Sequence, residues 1–182
     1  MNIFLPYVDN IDKSVQSLDN KRLCKQILEC KTMLDIAAEP ARTDGYANHP
    51  VVRLYTSSKR QIKFVRYYSY KCCKEYEYRF GKKHAYADLM PQTKYFLGVP
   101  TYTPVYIEKT DKILYYTVDH DQVSALFKCK LCDKWNNDKY PPKWTNREMP
   151  PFYYEHYMTF TDIDNMLKLY KDIQAMKEER TK

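Results

Sequence analysis

Residues 18–50 read LDNKRLCKQILECKTMLDIAAEPARTDGYANHP, and the reading of the whole chain starts from them. Asp19 or Asn20 offers a short side-chain oxygen to the free backbone N–H groups of a helix start. Leu23, Ile27, Cys30, Leu34 and Ala37 then recur at steps of three and four, which is one apolar helical stripe. Arg22, Lys25, Gln26 and Glu29 fall on an adjacent side. At about 100° per residue, Arg22 and Glu29 project roughly 20° apart, two turns along the axis. One carboxylate thus sits within a row of cations, which taken alone reads as a solvated charged face. Glu39-Pro40 stops the helix, because proline disfavours helix in the residue before it. Gly45 permits a tight bend. Pro50 suits a first helical position, with Asn48 or His49 at the cap. A helix N-terminus presents free N–H groups and a positive dipole end, a seat for phosphate, but as a bare tripeptide Asn48-His49-Pro50 reads as an ordinary cap.

From Pro50 to about Phe80 the spacing predicts one long second helix, with Val51, Leu54, Ile62, Val65, Ser69, Cys72 and Tyr76 as its buried stripe. Arg53, Arg60 and Lys71 project together on another side, and Gly81 suits the position just after the helix end. Tyr67, Tyr68, Tyr70, Tyr76 and Tyr78 lie among the cations. Such interleaving suits nucleic acid, where cations hold phosphates and rings stack on bases. It suits equally a core with hydroxyls at its rim.

Beyond Gly81 the segment 82–103 is irregular. PVYIEK and ILYYTVD, separated by Thr110-Asp111-Lys112, read as a small hairpin. Val123 to Trp135 reads as a short helix, 140–151 as a proline-rich crossing segment, and Thr161 to Glu179 as a last helix. Trp135 and Trp144 are expected to pack against the long helices. The expected class is mainly α: a compact bundle of about three long helices with long irregular connections and a small β-hairpin insertion. A single domain is expected over 1–182, with 1–90 as its catalytic half, 91–160 as an irregular insertion and 161–182 as a C-terminal helix.

Thirty Lys and Arg against 23 Asp and Glu give a net charge of +7, which favours a polyanionic partner. Three glycines argue against a Gly-rich phosphate loop. The start MNIFLPYVDN lacks the basic and apolar regions of a signal peptide, and no window approaches a membrane span. Cytoplasmic synthesis, or residence in the nucleic-acid compartment of an infected host cell, is expected, with the six cysteines reduced. Cys129-x-x-Cys132 has no matching second pair, so no metal and no cofactor is expected.

The order of these pieces resembles a known family. FLPY, then LDNKRLCKQILE, then GYANHPVVRLY, then a long basic-aromatic helix is similar to the pyrimidine-dimer DNA glycosylase/AP lyase family of phage and bacteria, over roughly residues 1–90. The resemblance implies a mostly helical protein that cuts the glycosidic bond of a damaged pyrimidine with an N-terminal α-amine, assisted by a helix glutamate. Glu29 matches that glutamate, and His49 the histidine of the family's NHP segment. The DNA-contacting residues expected are Arg22, Lys25, Gln26, Asn48, His49, Arg53 and Arg60.

An amine that attacks the sugar C1′ forms an imine, and the imine permits elimination of the strand phosphate without a metal. The family's better-known enzymes expose the amine of residue 2, but here residue 2 is Asn, which disfavours removal of Met1. The nucleophile is then the terminal amine, Met1 or Asn2, or a lysine such as Lys25, or there is none. An α-amine near pKa 7.7–8.0 is partly neutral at pH 7, which favours the terminal amine. The expected partner is double-stranded DNA containing a lesion, bound by a monomer. The alternatives are a non-catalytic nucleic-acid-binding protein on the same scaffold and a viral structural or interaction protein.

Overall fold

Asp19 begins the central helix. Its backbone is extended, and its side chain accepts from the Lys21 N–H at 3.3 Å. From that cap α2 runs Asn20–Ala38 and ends on Glu39, directly before Pro40. Leu23, Ile27, Cys30 and Met33 are buried completely along it. Each such aliphatic side chain contributes roughly 1.5–3 kcal/mol by leaving water. The stripe drifts toward Met33 and Ile36, leaving Leu34 partly buried at the end where the periodicity placed it inside. The structure, a computed structural model, describes residues 2–39, 41, 43, 45–90, 121 and 123–153, and the main chain alone of 102–107, 112–117, 120 and 122.

Ahead of α2 lies the short helix α1 (Ile11–Gln16), capped by Asn10. The single helix expected from Pro50 to Phe80 is instead two: α3 (Pro50–Thr56) and α4 (Lys59–Phe80). Ser57 and Ser58 cause the break. The Ser57 hydroxyl donates back to the Leu54 carbonyl at 2.9 Å. Ser58 is extended and its oxygen accepts from the Gln61 N–H at 3.2 Å, capping α4. Two neighbouring hydroxyls thus offer the backbone partners that a continuous helix would have supplied. The break resets the buried face. Val65, Ser69 and Cys72 are inside as expected, but Gln61, Phe64, Tyr68, Cys73, Glu75 and Arg79 are buried too, while Val51, Leu54, Ile62 and Tyr76 are only partly covered. It also removes the shared axis on which Arg53, Arg60 and Lys71 were projected, and Lys71 pairs with Asp12 at 2.8 Å. Helix α4 stops at Gly81, whose φ of 64° is the left-handed conformation that glycine adopts without strain.

The tyrosines of α4 divide as the break dictates. Tyr68 is in the core, Tyr76 packs on Phe80 at 4.6 Å between centroids, and Tyr78 lies exposed beneath the Arg147 guanidinium at 4.0 Å. Further along, two antiparallel strands, β1 (Tyr102–Ile107) and β2 (Lys112–Thr117), pair with Val105 opposite Leu114. Helix α5 (His120–Asn136) follows. The chain is mainly helical, and the helix expected over 161–179 lies outside the described residues. Among the described residues no helix is long and apolar enough to cross a membrane.

Two polar clusters lock these elements. Arg79, 1% exposed, donates from Nε to Glu75 at 2.7 Å, and from its terminal nitrogens to the carbonyls of Leu18 at 2.7 Å and Gln16 at 2.9 Å. It therefore holds the α1–α2 elbow against the end of α4. Arg147 completes Glu75 with two bonds of 2.8 Å. The second cluster joins α5 to the start of α2. Trp135 donates its indole N–H to Asp19 at 2.8 Å, and Arg22 reaches the Asp138 carboxylate and, at 3.0 Å, the Lys134 carbonyl. Trp135 stacks on Phe152 at 5.8 Å and meets Trp144 edge-on at 5.2 Å, so the two tryptophans pack on each other and on Phe152.

Arg79→Ala should destabilise the fold by roughly 3–5 kcal/mol, because it strands two buried carbonyls and strips Glu75 of one partner. Urea unfolding reads this directly, and a loss under about 1 kcal/mol would contradict the role given to Arg79. The second cluster should report itself through pH. Hydrogen bonding from Arg22, reinforced by Lys21, pulls the Asp138 carboxyl from 3.8 down to about 2. A depressed carboxylate stabilises the fold above its unfolded value and loses that contribution as pH falls through its folded value. The stability gap between wild type and Asp138→Asn should hold steady above about pH 4 and close by about pH 2. Acid unfolding followed by tryptophan fluorescence measures it; a gap unchanged at pH 2 would mean that Asp138 carries no such linkage.

Candidate active site

The first residues of the chain are apolar, and that fixes where they go. Ile3, Phe4, Leu5 and Val8 are all buried, packed beneath α2 and against α5, with the Phe4 and Phe127 rings 6.2 Å apart edge to face. A buried extended segment must still satisfy its backbone. Gln26, 1% exposed, does much of this. Its carbonyl oxygen accepts from the Phe4 N–H at 3.1 Å, and its amide nitrogen donates to the Asn2 carbonyl at 2.7 Å and to Glu29 Oε2 at 2.9 Å. The Tyr68 hydroxyl donates to the Phe4 carbonyl at 2.8 Å and lies 3.1 Å from the same Gln26 oxygen. These contacts leave only one orientation of the amide. Turning it over would set N–H against N–H at Phe4 and oxygen against the Glu29 carboxylate.

This stitching delivers the Asn2 nitrogen to Glu29. Its N–H donates to Oε2 at 3.1 Å, and Glu29 is 8% exposed. The other carboxylate oxygen is 3.8 Å from the Lys25 ammonium. The charged row of α2 is therefore not a solvated face. Arg22, Gln26 and Glu29 are covered, and Lys25 alone of the four projects outward. Met1, the other candidate nucleophile, lies outside the described residues.

A cleft of about 430 Å³ opens over this carboxylate, lined by Asn2, Arg22, Lys25, Gln26 and Glu29 on one side and by Asp133, Lys134, Asn137 and Asp138 of the α5 end on the other. Arg22 is 6% exposed, and its guanidinium is taken by Asp138, the Lys134 carbonyl and, at 3.5 Å, Asp19. The amide of Gln26 is likewise consumed within the protein.

The remaining predicted residues lie on the loop and helices that follow. Gly45–Asn48 forms one turn of 3₁₀ helix, and the exposed Asn48 donates to the Thr43 carbonyl at 3.0 Å. His49 caps α3, its Nδ1 accepting from the Val51 N–H at 3.2 Å. A ring nitrogen that accepts carries no proton, so neutral His49 has its proton on Nε2. Its pKa is lowered, chiefly by burial, while the Glu29 carboxylate acts in the opposite direction. His49 does not border the cleft over Glu29. Arg60, in the first turn of α4, is exposed, and Arg53 is partly covered on α3; neither borders the cleft.

Sequence reasoning missed the α5 wall. Asp133, Lys134, Asn137 and Asp138 lie more than a hundred positions from the α2 residues they face, and no local motif announces them. Cys129 is exposed, whereas Cys132 is buried with its thiol pushed up to about 12 by desolvation. Among the described residues no group of three or more metal-ligating side chains converges.

No curated protein and no solved structure matches the chain. The family model described as pyrimidine dimer DNA glycosylase matches residues 1–88, the part that carries Asn2, Gln26, Glu29 and His49. Residues 1–88, just under half of the chain, are thus similar to the pyrimidine dimer DNA glycosylase family.

Proposed function

We propose that the protein is a DNA glycosylase with AP lyase activity, acting on a damaged or modified pyrimidine, a pyrimidine dimer above all, in double-stranded DNA. The observation that carries the proposal is the 3.1 Å contact between the Asn2 nitrogen and Glu29 Oε2. With Met1 attached this nitrogen is an amide. Removal of Met1 turns it into the α-amine, already set against a carboxylate; with Met1 retained, the amine lies one residue further out. The net charge of +7 suits a polyanionic substrate.

The chemistry follows from the pair. The amine attacks C1′ of a nucleotide drawn out of the stack, the N–C1′ bond forms, and the bond from C1′ to the base breaks. Glu29 accepts the proton that the amine sheds and returns it as the sugar ring opens to the imine. Loss of a C2′ proton from the imine then expels the 3′ phosphate, which is strand scission. No step needs a metal. Lys25, 3.8 Å from Glu29 and exposed, supplies positive charge at the cleft rim.

Glu29→Gln keeps the shape and can still accept from Asn2, but it cannot take up a proton. On ultraviolet-irradiated and abasic duplexes it should lose about 10²–10⁴-fold in strand scission, while keeping most of its DNA affinity. Cleavage near the wild-type rate would remove Glu29 from the mechanism. Salt-dependent binding by a wild-type protein that cleaves neither duplex would favour a binding protein on the same scaffold.

A further inference from the structure

The cation that heads the α2 row is not free to hold DNA. Arg22 is buried against Asp138, Asp19 and the Lys134 carbonyl, and Lys21 is also bound to Asp138, at 2.8 Å. These bonds, together with the Trp135–Asp19 bond of 2.8 Å, fasten α5 to α2. The end of α5 therefore stands as a fixed wall opposite Glu29 rather than as a loose flap. Two ammonium groups remain at the cleft rim. Lys25 has a side chain 63% exposed, and Lys134 is exposed with no ion pair among the described residues. Both line the cleft, one from each wall. Of the two carboxylates on the α5 wall, Asp138 is neutralised by Arg22 and Lys21, and Asp133 accepts from the Asn137 amide at 3.0 Å and keeps its charge.

We propose that the C-terminal turn of α5, outside the family-matched residues 1–88, is the second wall of the DNA site, with Lys134 and Lys25 each taking a backbone phosphate of the strand that enters between them. The proposal rests on the glycosylase reading above and adds residues that reading does not contain. Phosphates recur along each strand at intervals of several ångströms, so a cleft rimmed by two separated ammonium groups suits one strand, with the reacting sugar above Glu29. Arg22 acts here as a positioning residue, since it holds the wall rather than the phosphate.

The test is the salt dependence of binding to a duplex carrying a tetrahydrofuran abasic analogue, which the protein cannot cleave. Lys134→Gln leaves the Arg22 bond in place, because that bond is to the main-chain carbonyl. Its slope of log K against log salt should flatten by about one unit, as should that of Lys25→Gln. One unit is about a fourfold smaller loss of affinity between 50 and 200 mM salt. Lys74→Gln, at a position already paired with Glu77 at 2.9 Å and away from the cleft, should match wild type. A flattened slope for Lys25→Gln with an unchanged one for Lys134→Gln overturns the second wall and leaves the glycosylase reading standing. A wild-type protein that does not bind the duplex overturns both.

Discussion

A single buried amide decides where this chain begins in space. Gln26 uses both its protons and its carbonyl oxygen on the first residues and on Glu29, and Tyr68 closes the set from α4. Without it the extended segment would bury the Phe4 N–H and the Asn2 carbonyl unpaired, at roughly 1–3 kcal/mol each. Apolar packing alone would keep Ile3 to Leu5 under α2 but would not set their register. The amide does. One residue of slip would turn Phe4 out of the core and take the Asn2 nitrogen away from the carboxylate. Stability of the core and geometry of the site are thus the same constraint, expressed at its two ends.

The second half of the chain completes what the first half starts. Residues 1–88 provide the chain start, Glu29 and the NHP loop, yet the cleft has no far side until α5 is fastened on. The fastening is electrostatic at its rim and aromatic beneath. Arg22 spans to Asp138 over a layer of Trp135, Trp144, Phe152 and Tyr153. A buried ion pair alone is weak glue, because desolvation offsets attraction. Here the aromatic layer supplies burial, and the ion pair fixes orientation. The charged row of α2 suggests an arginine facing DNA; the fold gives that arginine to its own chain.

The sequence made the apolar logic legible and left the polar logic hidden. The stop before Pro40 and the helix end at Gly81 follow from local chemistry, and the structure chooses Asp19 over Asn20 and His49 over Asn48 as the caps. The hairpin could be read from its β-branched and aromatic runs. The break between α3 and α4 could not, since periodicity continues across Ser57 and Ser58 and only their hydroxyls decide against it. Polar residues inside are the larger gap. Gln26, Glu29, Arg79 and Glu75 count as outward-facing in any hydrophobic pattern, and each has, besides its neighbours on the helix, a partner 22 to 72 positions away. The family resemblance points to Glu29 and to the chain start, and their mutual contact appears only once that start is folded under α2.

The central claim is that the start of the chain is the reacting end. Borohydride trapping on an abasic duplex, followed by peptide mass mapping of the adduct, tests it most directly. The account predicts one DNA-linked peptide, the N-terminal one, beginning with Asn2 or Met1, and no trapping when that amine is acetylated. An adduct on Lys25, or cleavage undiminished by the acetylated protein, would contradict it.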